Sequence, residues 1–312
     1  MSEQTLDNNG FWAMAQQPAQ RNVLLAAAFG WMLDSMDVML YSMVIPAAQK
    51  DLGMSSATAG LIMSFTLIAA AVGGIGFGFV ADRLGRTRAL SASILIYTVS
   101  TGLCAFVHSV PQLAACRLLL GIGMGGEWAS GAALVAETWP QRHRAKALAL
   151  VQSAWALGYA LAAGIVALIM PHFGWRAVFL AGLFPALFTV WIRRKVKEPE
   201  HWAPALDVSA RLLFRGPLVR RTLIITSMNA ASLFAWWGLF SWTPTFLAAP
   251  VSKGGHGLNI LHTAAFTIVM QVGTFLGYVS FGPLADRFSR KWTYVSFLFI
   301  AASVVPLYAL VR

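Results

Sequence analysis

The chain has 312 residues, of which 58% are hydrophobic and only 11% charged. Soluble domains carry about 25% charged residues, so a soluble enzyme and a disordered chain are both excluded. Two cysteines are too few for a disulfide-stapled scaffold. The net charge of +11 would fit nucleic acid only if the basic residues shared one soluble face. Here they form short clusters between long apolar runs, which leaves an all-α integral membrane protein.

Residues 1–20 hold Glu3 and Asp7 and no basic residue, so the positively charged start of a secretory signal is missing. A lipid-spanning helix needs about 20 mostly apolar residues. Nine segments qualify: 22–46, 57–80, 89–109, 112–137, 146–170, 174–192, 222–248, 260–284 and 292–311. Backbone groups inside lipid must bond internally, so these are helices. With the N-terminus in the cytoplasm, 18 Lys and Arg fall in inner segments and 4 in outer ones. That bias fixes the orientation and explains the basic charge. The expected organisation is a cytoplasmic tail (1–21), a six-helix bundle (22–192), a basic cytoplasmic loop (193–221) and a partial second bundle (222–312).

Span one carries Asp34 and Asp37. Two carboxylates at helix centres cost about 5–7 kcal/mol before any pairing. Asp34, Asp37 and Tyr41 are spaced i, i+3, i+7 and share a face. They are expected to couple protons or bind substrate; the competing reading is structural pairing with another helix. Cys104 and Cys116 fall in apolar runs and read as small hydrophobes. Arg117, in span four, is the one basic residue well inside a span, Lys146 and Arg176 standing at span ends. At 1.5 Å per residue, Asp37 lies about 22 Å from the inner end of its helix and Arg117 about 8 Å below the outer end of its own. The depths match, so Arg117 is expected to hold an anionic substrate or pair with an aspartate; a snorkelling helix-end Arg is the alternative. Glu127 is a third buried acid and a further coupling candidate, unless it pairs with basic loops at the inner face. Weaker candidates for the cavity are Gln152, Trp155 and Tyr159 in span five, Asn229, Trp236 and Trp237 in span seven, and Gln271 in span eight. The amides of Asn229 and Gln271 are expected to face the interior, while the Trp pair also suits an interfacial belt. Gly74 and Gly78, and Gly121 and Gly125, read as faces for close helix packing.

A repeat links the two halves. Gly78-Phe-Val-Ala-Asp82-Arg83-Leu-Gly85-Arg86 follows span two, and Gly282-Pro-Leu-Ala-Asp286-Arg287-Phe-Ser-Arg290 follows span eight. Internal repeats mark secondary transporters. With Arg88 continuing the first copy, this motif resembles the signature loop of the major facilitator superfamily; the second copy has Ser289 where the family prefers Gly. Glu137-Thr-Trp-Pro140-Gln-Arg-His-Arg144 resembles the motif closing the family's fourth helix. Lys197-Glu198-Pro199-Glu200-His-Trp202 resembles, imperfectly, the block after its sixth.

The resemblance implies a fold of twelve helices in two bundles of six, with helices one and four lining a central cavity. By that measure this chain lacks helices 10–12. The motif residues are expected to gate the cytoplasmic side: Asp82 capping a neighbouring helix and pairing with Arg, and Glu137 pairing with Arg86 or Arg144. Trp31-Met-Leu-Asp34-Ser-Met-Asp37 and Gly125-Gly126-Glu127-Trp128 are similar to the metabolite:proton branch, which includes aromatic-acid, sialate and nicotinate symporters. That implies a proton-coupled importer of a small carboxylate in a bacterial inner membrane. A proton taken by a buried Asp would free Arg117 for the substrate carboxylate. No phosphate-binding loop, metal-ligand spacing or cofactor motif is present, so no nucleotide, nucleic acid, metal or cofactor is expected. Three alternatives stay open: a sugar:proton symporter, a drug antiporter (though span five lacks that branch's Gly-Pro pair), and a non-transporting membrane protein or sensor that needs a partner.

Overall fold

The computed structural model describes residues 10–198 and 215–310, and among them every regular element is helical. In chain order the helices are α1 (Phe11–Gln16), α2 (Pro18–Leu52), α3 (Ser56–Leu84), α4 (Arg86–Leu103), α5 (Val110–Thr138), α6 (Gln141–Ala181), α7 (Pro185–Lys195), α8 (Leu218–Phe240), α9 (Thr243–Ala248), α10 (Ile260–Phe288) and α11 (Arg290–Leu310). Single 3₁₀ turns sit at Cys104–Phe106 and Val251–Lys253. Seven helical stretches among the described residues are long and apolar enough to cross a membrane.

The expected spans map onto these helices with local differences. α2 starts on Pro18, whose missing N–H costs nothing at a helix start, and runs past the expected end at residue 46 to Gly53 in the left-handed region. Spans five and six lie in α6, whose 41 residues would measure about 60 Å unbroken. Gly174, at φ 76° and ψ 177°, breaks it at the start of the expected span six. Span six breaks again at residues 182–184, before Pro185 opens α7. Span seven is divided likewise, with α8 ending before Pro244 in the first turn of α9. Residues 199–214 of the central loop lie outside the described residues, and α8 takes four residues of the expected loop.

The core is in the first half. α2 packs along α6 and α5, α5 is sandwiched against α3 and α4, and α4 meets α7. Glycines set the approach of α3 and α5: a Cβ on Gly73 would strike the Ile122 backbone, and one on Gly121 the Thr66 carbonyl. In lipid such backbone-close packing replaces the hydrophobic drive available in water. Gly125 does this as expected; Gly78 does not, because nothing lies within 4 Å of its would-be Cβ. The α3 face is offset to Gly73 and Gly74, which stand over α5. The second half joins the first mainly where α10 packs on α6.

Candidate functional site

Asp34, Asp37 and Arg117 expose no surface, and Glu127 only 1%. The rotation of α2 is fixed from behind. A Cβ on Gly158 of α6 would collide with the Met32 carbonyl, and Ser35 Oγ donates to the Trp155 carbonyl at 2.7 Å. The acids are thereby turned toward α4 and α5. Asp37 Oδ2 accepts from Thr101 Oγ1 at 3.2 Å. Its Oδ1 has no hydrogen-bond partner among the described residues and lies 2.9 Å from where a Cβ on Gly182 would stand. Both Asp34 oxygens are also unpartnered.

Arg117 reaches this cluster from α5. Its guanidinium lies 4.4 Å over the centre of the Tyr41 ring, a cation–π geometry. Tyr41 is anchored by its hydroxyl, which donates to the Ala59 carbonyl at 3.3 Å. Nε and both terminal nitrogens of Arg117 have no hydrogen-bond acceptor among the described residues. Arg117 therefore joins the aspartates through space but forms no direct ion pair with either. The Tyr41 face, one turn beyond Asp37, occupies the guanidinium instead. A buried cation with every donor unused is costly, and its fork matches a carboxylate.

Glu127 on α5 is a third buried carboxylate, and its Oε2 has no hydrogen-bond partner among the described residues. Its Oε1 lies 2.5 Å from the position of a Cβ on Gly30, so only glycine there leaves the carboxylate its place. Tyr97 of α4 is fully buried, and its hydroxyl has no hydrogen-bond partner among the described residues. Tyr97, Thr101 and Gly30 are functional candidates absent from the sequence reading. One signal was present: Ser93, Tyr97 and Thr101 are four residues apart and fully buried on one face.

The weaker candidates divide. Trp31, Trp128, Trp155, Trp236 and Trp237 form a chain of ring contacts from the first bundle to α8. Trp31 lies 4.5 Å from Trp128 and 4.7 Å from Trp155, which meets Trp236 at 5.6 Å and Trp237 at 5.9 Å. The indole N–H groups of Trp31 and Trp155, Gln152 Oε1 and both amide atoms of Gln271 are buried without hydrogen-bond partners among the described residues. Gln271 faces the interior at 2% exposure, as expected. Asn229 is exposed, and its amide donates to the Ile225 carbonyl one turn back at 3.0 Å. That bond satisfies the amide on its own helix. The Tyr159 hydroxyl donates to the Phe240 carbonyl at 3.2 Å, a tie between α6 and α8.

At the opposite end of the bundle, the motif residues form a charge network. Arg86 pairs with Asp82 and with Glu137, its Nε standing 3.0 Å from Glu137 Oε1. Arg144 instead reaches the Trp139 carbonyl. The capping role expected of Asp82 belongs to Glu198, which accepts the Thr87 N–H at 3.1 Å and the Arg88 N–H at 3.4 Å at the start of α4. Gly85, at φ 110°, makes room for it: a Cβ there would overlap the Glu198 carboxylate. Arg83 and Arg88 are exposed. In the second copy, Gly282 has open space around its would-be Cβ, and Arg287 and Arg290 are exposed. The side chain of Asp286 lies outside the described residues, as do Pro199 to Trp202 of the third motif. Among the described residues, no group of three His, Cys, Asp or Glu is placed to hold a metal.

Residues 27–311 match the sequence profile of the Major Facilitator Superfamily. The sialic acid transporter NanX of Escherichia coli is 31% identical over 93% of this chain and 72% of its own length. The niacin transporter NiaP of Acinetobacter baylyi is 28% identical over 88% of this chain and 69% of its own. A bacterial homologue of the human lysosomal transporter Spinster, solved inward-facing and unoccupied, superposes with a TM-score of 0.67 at 21% identity, covering 88% of this chain and 64% of that one.

Proposed function

Because the chain belongs to the major facilitator superfamily, we propose that it takes up a small organic anion together with protons, by alternating access. The observation that carries this reading is the wholly buried Arg117, with every guanidinium nitrogen unpartnered beside two aspartates. A substrate carboxylate supplies the missing acceptor, and the bidentate fork suits it. The names of the relatives, sialic acid and niacin transporters, favour the same substrate class. The aromatic chain from Trp31 to Trp237, bordered by Gln152 and Gln271 with unpartnered amide atoms, suits a flat acid with a polar far edge.

In this mechanism a proton on Asp37 or Asp34 cancels the negative charge that competes with substrate for Arg117. Thr101 orients Asp37, and Tyr97 and Glu127 lie between the aspartates and the motif end. The loaded, neutralised site then lets the two halves rock. The motif end is cytoplasmic, following the distribution of Lys and Arg, in a bacterial inner membrane. Breaking the Arg86–Glu137 and Glu198 contacts opens that end.

Uptake tests the reading. Membrane vesicles carrying the chain are given radiolabelled carboxylates, nicotinate and sialate among them, under an inward proton gradient. Accumulation of at least one acid, abolished by a protonophore and by Asp37→Asn, is expected. Accumulation that persists unchanged in Asp37→Asn removes that residue from coupling, and accumulation of neutral sugars alone overturns the substrate class.

A further inference from the structure

One face of α2 offers Arg117 two partners, Asp37 and Tyr41, one helical turn apart. The guanidinium lies over Tyr41, 4.4 Å from the ring centre, and among the described residues it makes no ion pair with Asp37. Each partner is held in place. The Tyr41 hydroxyl donates to the Ala59 carbonyl of α3 at 3.3 Å, which anchors a fully buried ring. Asp37 Oδ2 accepts from Thr101 Oγ1 of α4 at 3.2 Å, and Oδ1 stands 2.9 Å from the position of a Cβ on Gly182. Both carboxylate oxygens are thus turned to elements other than α5, which bears Arg117. The difference between the partners is chemical. A ring face attracts a cation through its quadrupole and leaves the N–H donors without an acceptor oxygen, as Nε and both terminal nitrogens of Arg117 are found. A carboxylate would take two of those donors at once, and breaking a buried pair leaves an uncompensated charge. Of the other acids, Asp34 stands two turns from Tyr41, and Glu127 lies ten residues from Arg117 along α5, about 15 Å of rise. Asp37 is therefore the competitor that the ring must keep away.

We propose that Tyr41 is a positioning residue: its ring holds Arg117 apart from Asp37, so that the guanidinium stays open to an incoming carboxylate. Thr101 holds Asp37 in the opposite sense. That the open guanidinium receives a substrate rests on the reading above; that Tyr41 keeps it from Asp37 does not. Without the ring, Arg117 closes a buried ion pair with Asp37, and a substrate carboxylate has to displace the aspartate before it binds.

Thermal unfolding in detergent, with no ligand present, tests the separation. Asp37→Asn is introduced into the parent chain, into Tyr41→Leu and into Tyr41→Phe, which keeps the ring. In the parent and in Tyr41→Phe the midpoint is expected to stay or rise, since Asp37 is not the partner of Arg117. In Tyr41→Leu the same substitution is expected to lower it, because there it removes that partner. A ring that only fills space would shift every midpoint without changing the sign of the Asp37 effect. A midpoint lowered by Asp37→Asn in the parent, or the same change in all three backgrounds, overturns the proposal. Tyr41→Met replaces Tyr41→Leu where the latter does not fold, and the parent comparison needs neither. Equilibrium binding of nicotinate tests the consequence. Tyr41→Leu is expected to bind it about 10-fold more weakly than the parent, and the double variant Tyr41→Leu, Asp37→Asn to regain the parent's affinity. Weak binding that persists in the double variant overturns the part played by Asp37. A parent chain that binds neither nicotinate nor sialate contradicts the substrate reading, and the unfolding midpoints then decide for Tyr41 by themselves.

Discussion

The two copies of the nine-residue motif make the same backbone turn with different support. Gly85 sits at φ 110°, ψ 149° and Ser289 at φ 94°, ψ 144°. That region is open to glycine and costs other residues about 1–3 kcal/mol. Around the first turn, Arg86 binds Asp82 and Glu137, and Glu198 caps α4. Around the second, Ser289 Oγ accepts from the Trp292 N–H at 3.5 Å, and Arg287 and Lys291 lie over the neighbouring rings of Phe288 and Trp292. Both copies keep the turn, and the first surrounds it with contacts of Asp82, Arg86, Glu137 and Glu198.

Substitutions at the two turns separate backbone from charge. The largest effect is expected for Gly85→Ala, which combines about 1–3 kcal/mol of strain with loss of the Glu198 cap, about 1 kcal/mol more. Thermal unfolding in detergent measures it, and an unchanged midpoint would show that the turn tolerates a side chain. Ser289→Gly should act oppositely, stabilising by about 1–2 kcal/mol through relief of the same strain; a midpoint at or below the parent would contradict the conformation of that residue. Glu198→Gln keeps the shape but removes the charge at the α4 N-terminus, a loss of about 0.3–1 kcal/mol, read as a lower unfolding midpoint. The smallest effect belongs to the half-exposed Arg86–Glu137 pair. A double-mutant cycle of Arg86→Ala and Glu137→Ala should return a coupling of about 0.2–1 kcal/mol, and zero coupling would remove the pair from the gate.

The helices and the pair of halves were legible because lipid demands apolar runs of one length, and the charged site because carboxylates and a guanidinium are conspicuous in such runs. Matching depths placed Arg117 near Asp37, but only tertiary packing shows its guanidinium on Tyr41 rather than on a carboxylate. Tyr97 and Thr101 escaped because hydroxyl residues are common in membrane helices, and only the partner helix tells which face is inside. Asn229 shows that an amide in a membrane helix can find a partner on its own helix, in the Ile225 carbonyl. The four-residue spacing of Gly74 and Gly78 points to a packing face through Gly78, while the face of α3 that meets α5 runs through Gly73. The cap by Glu198 joins residues more than 100 positions apart, which motif spacing does not encode.

The central claim is that Arg117 holds the carboxylate of the substrate. It is tested most directly by equilibrium binding of a transported acid and of its neutral amide to the parent chain and to Arg117→Ala, followed by Trp fluorescence. A lost charge-assisted hydrogen bond of about 1.5–3 kcal/mol predicts affinity for the acid lower by about 10- to 100-fold in the variant, with the amide bound equally by both. Equal affinity of the two chains for the acid would contradict the account.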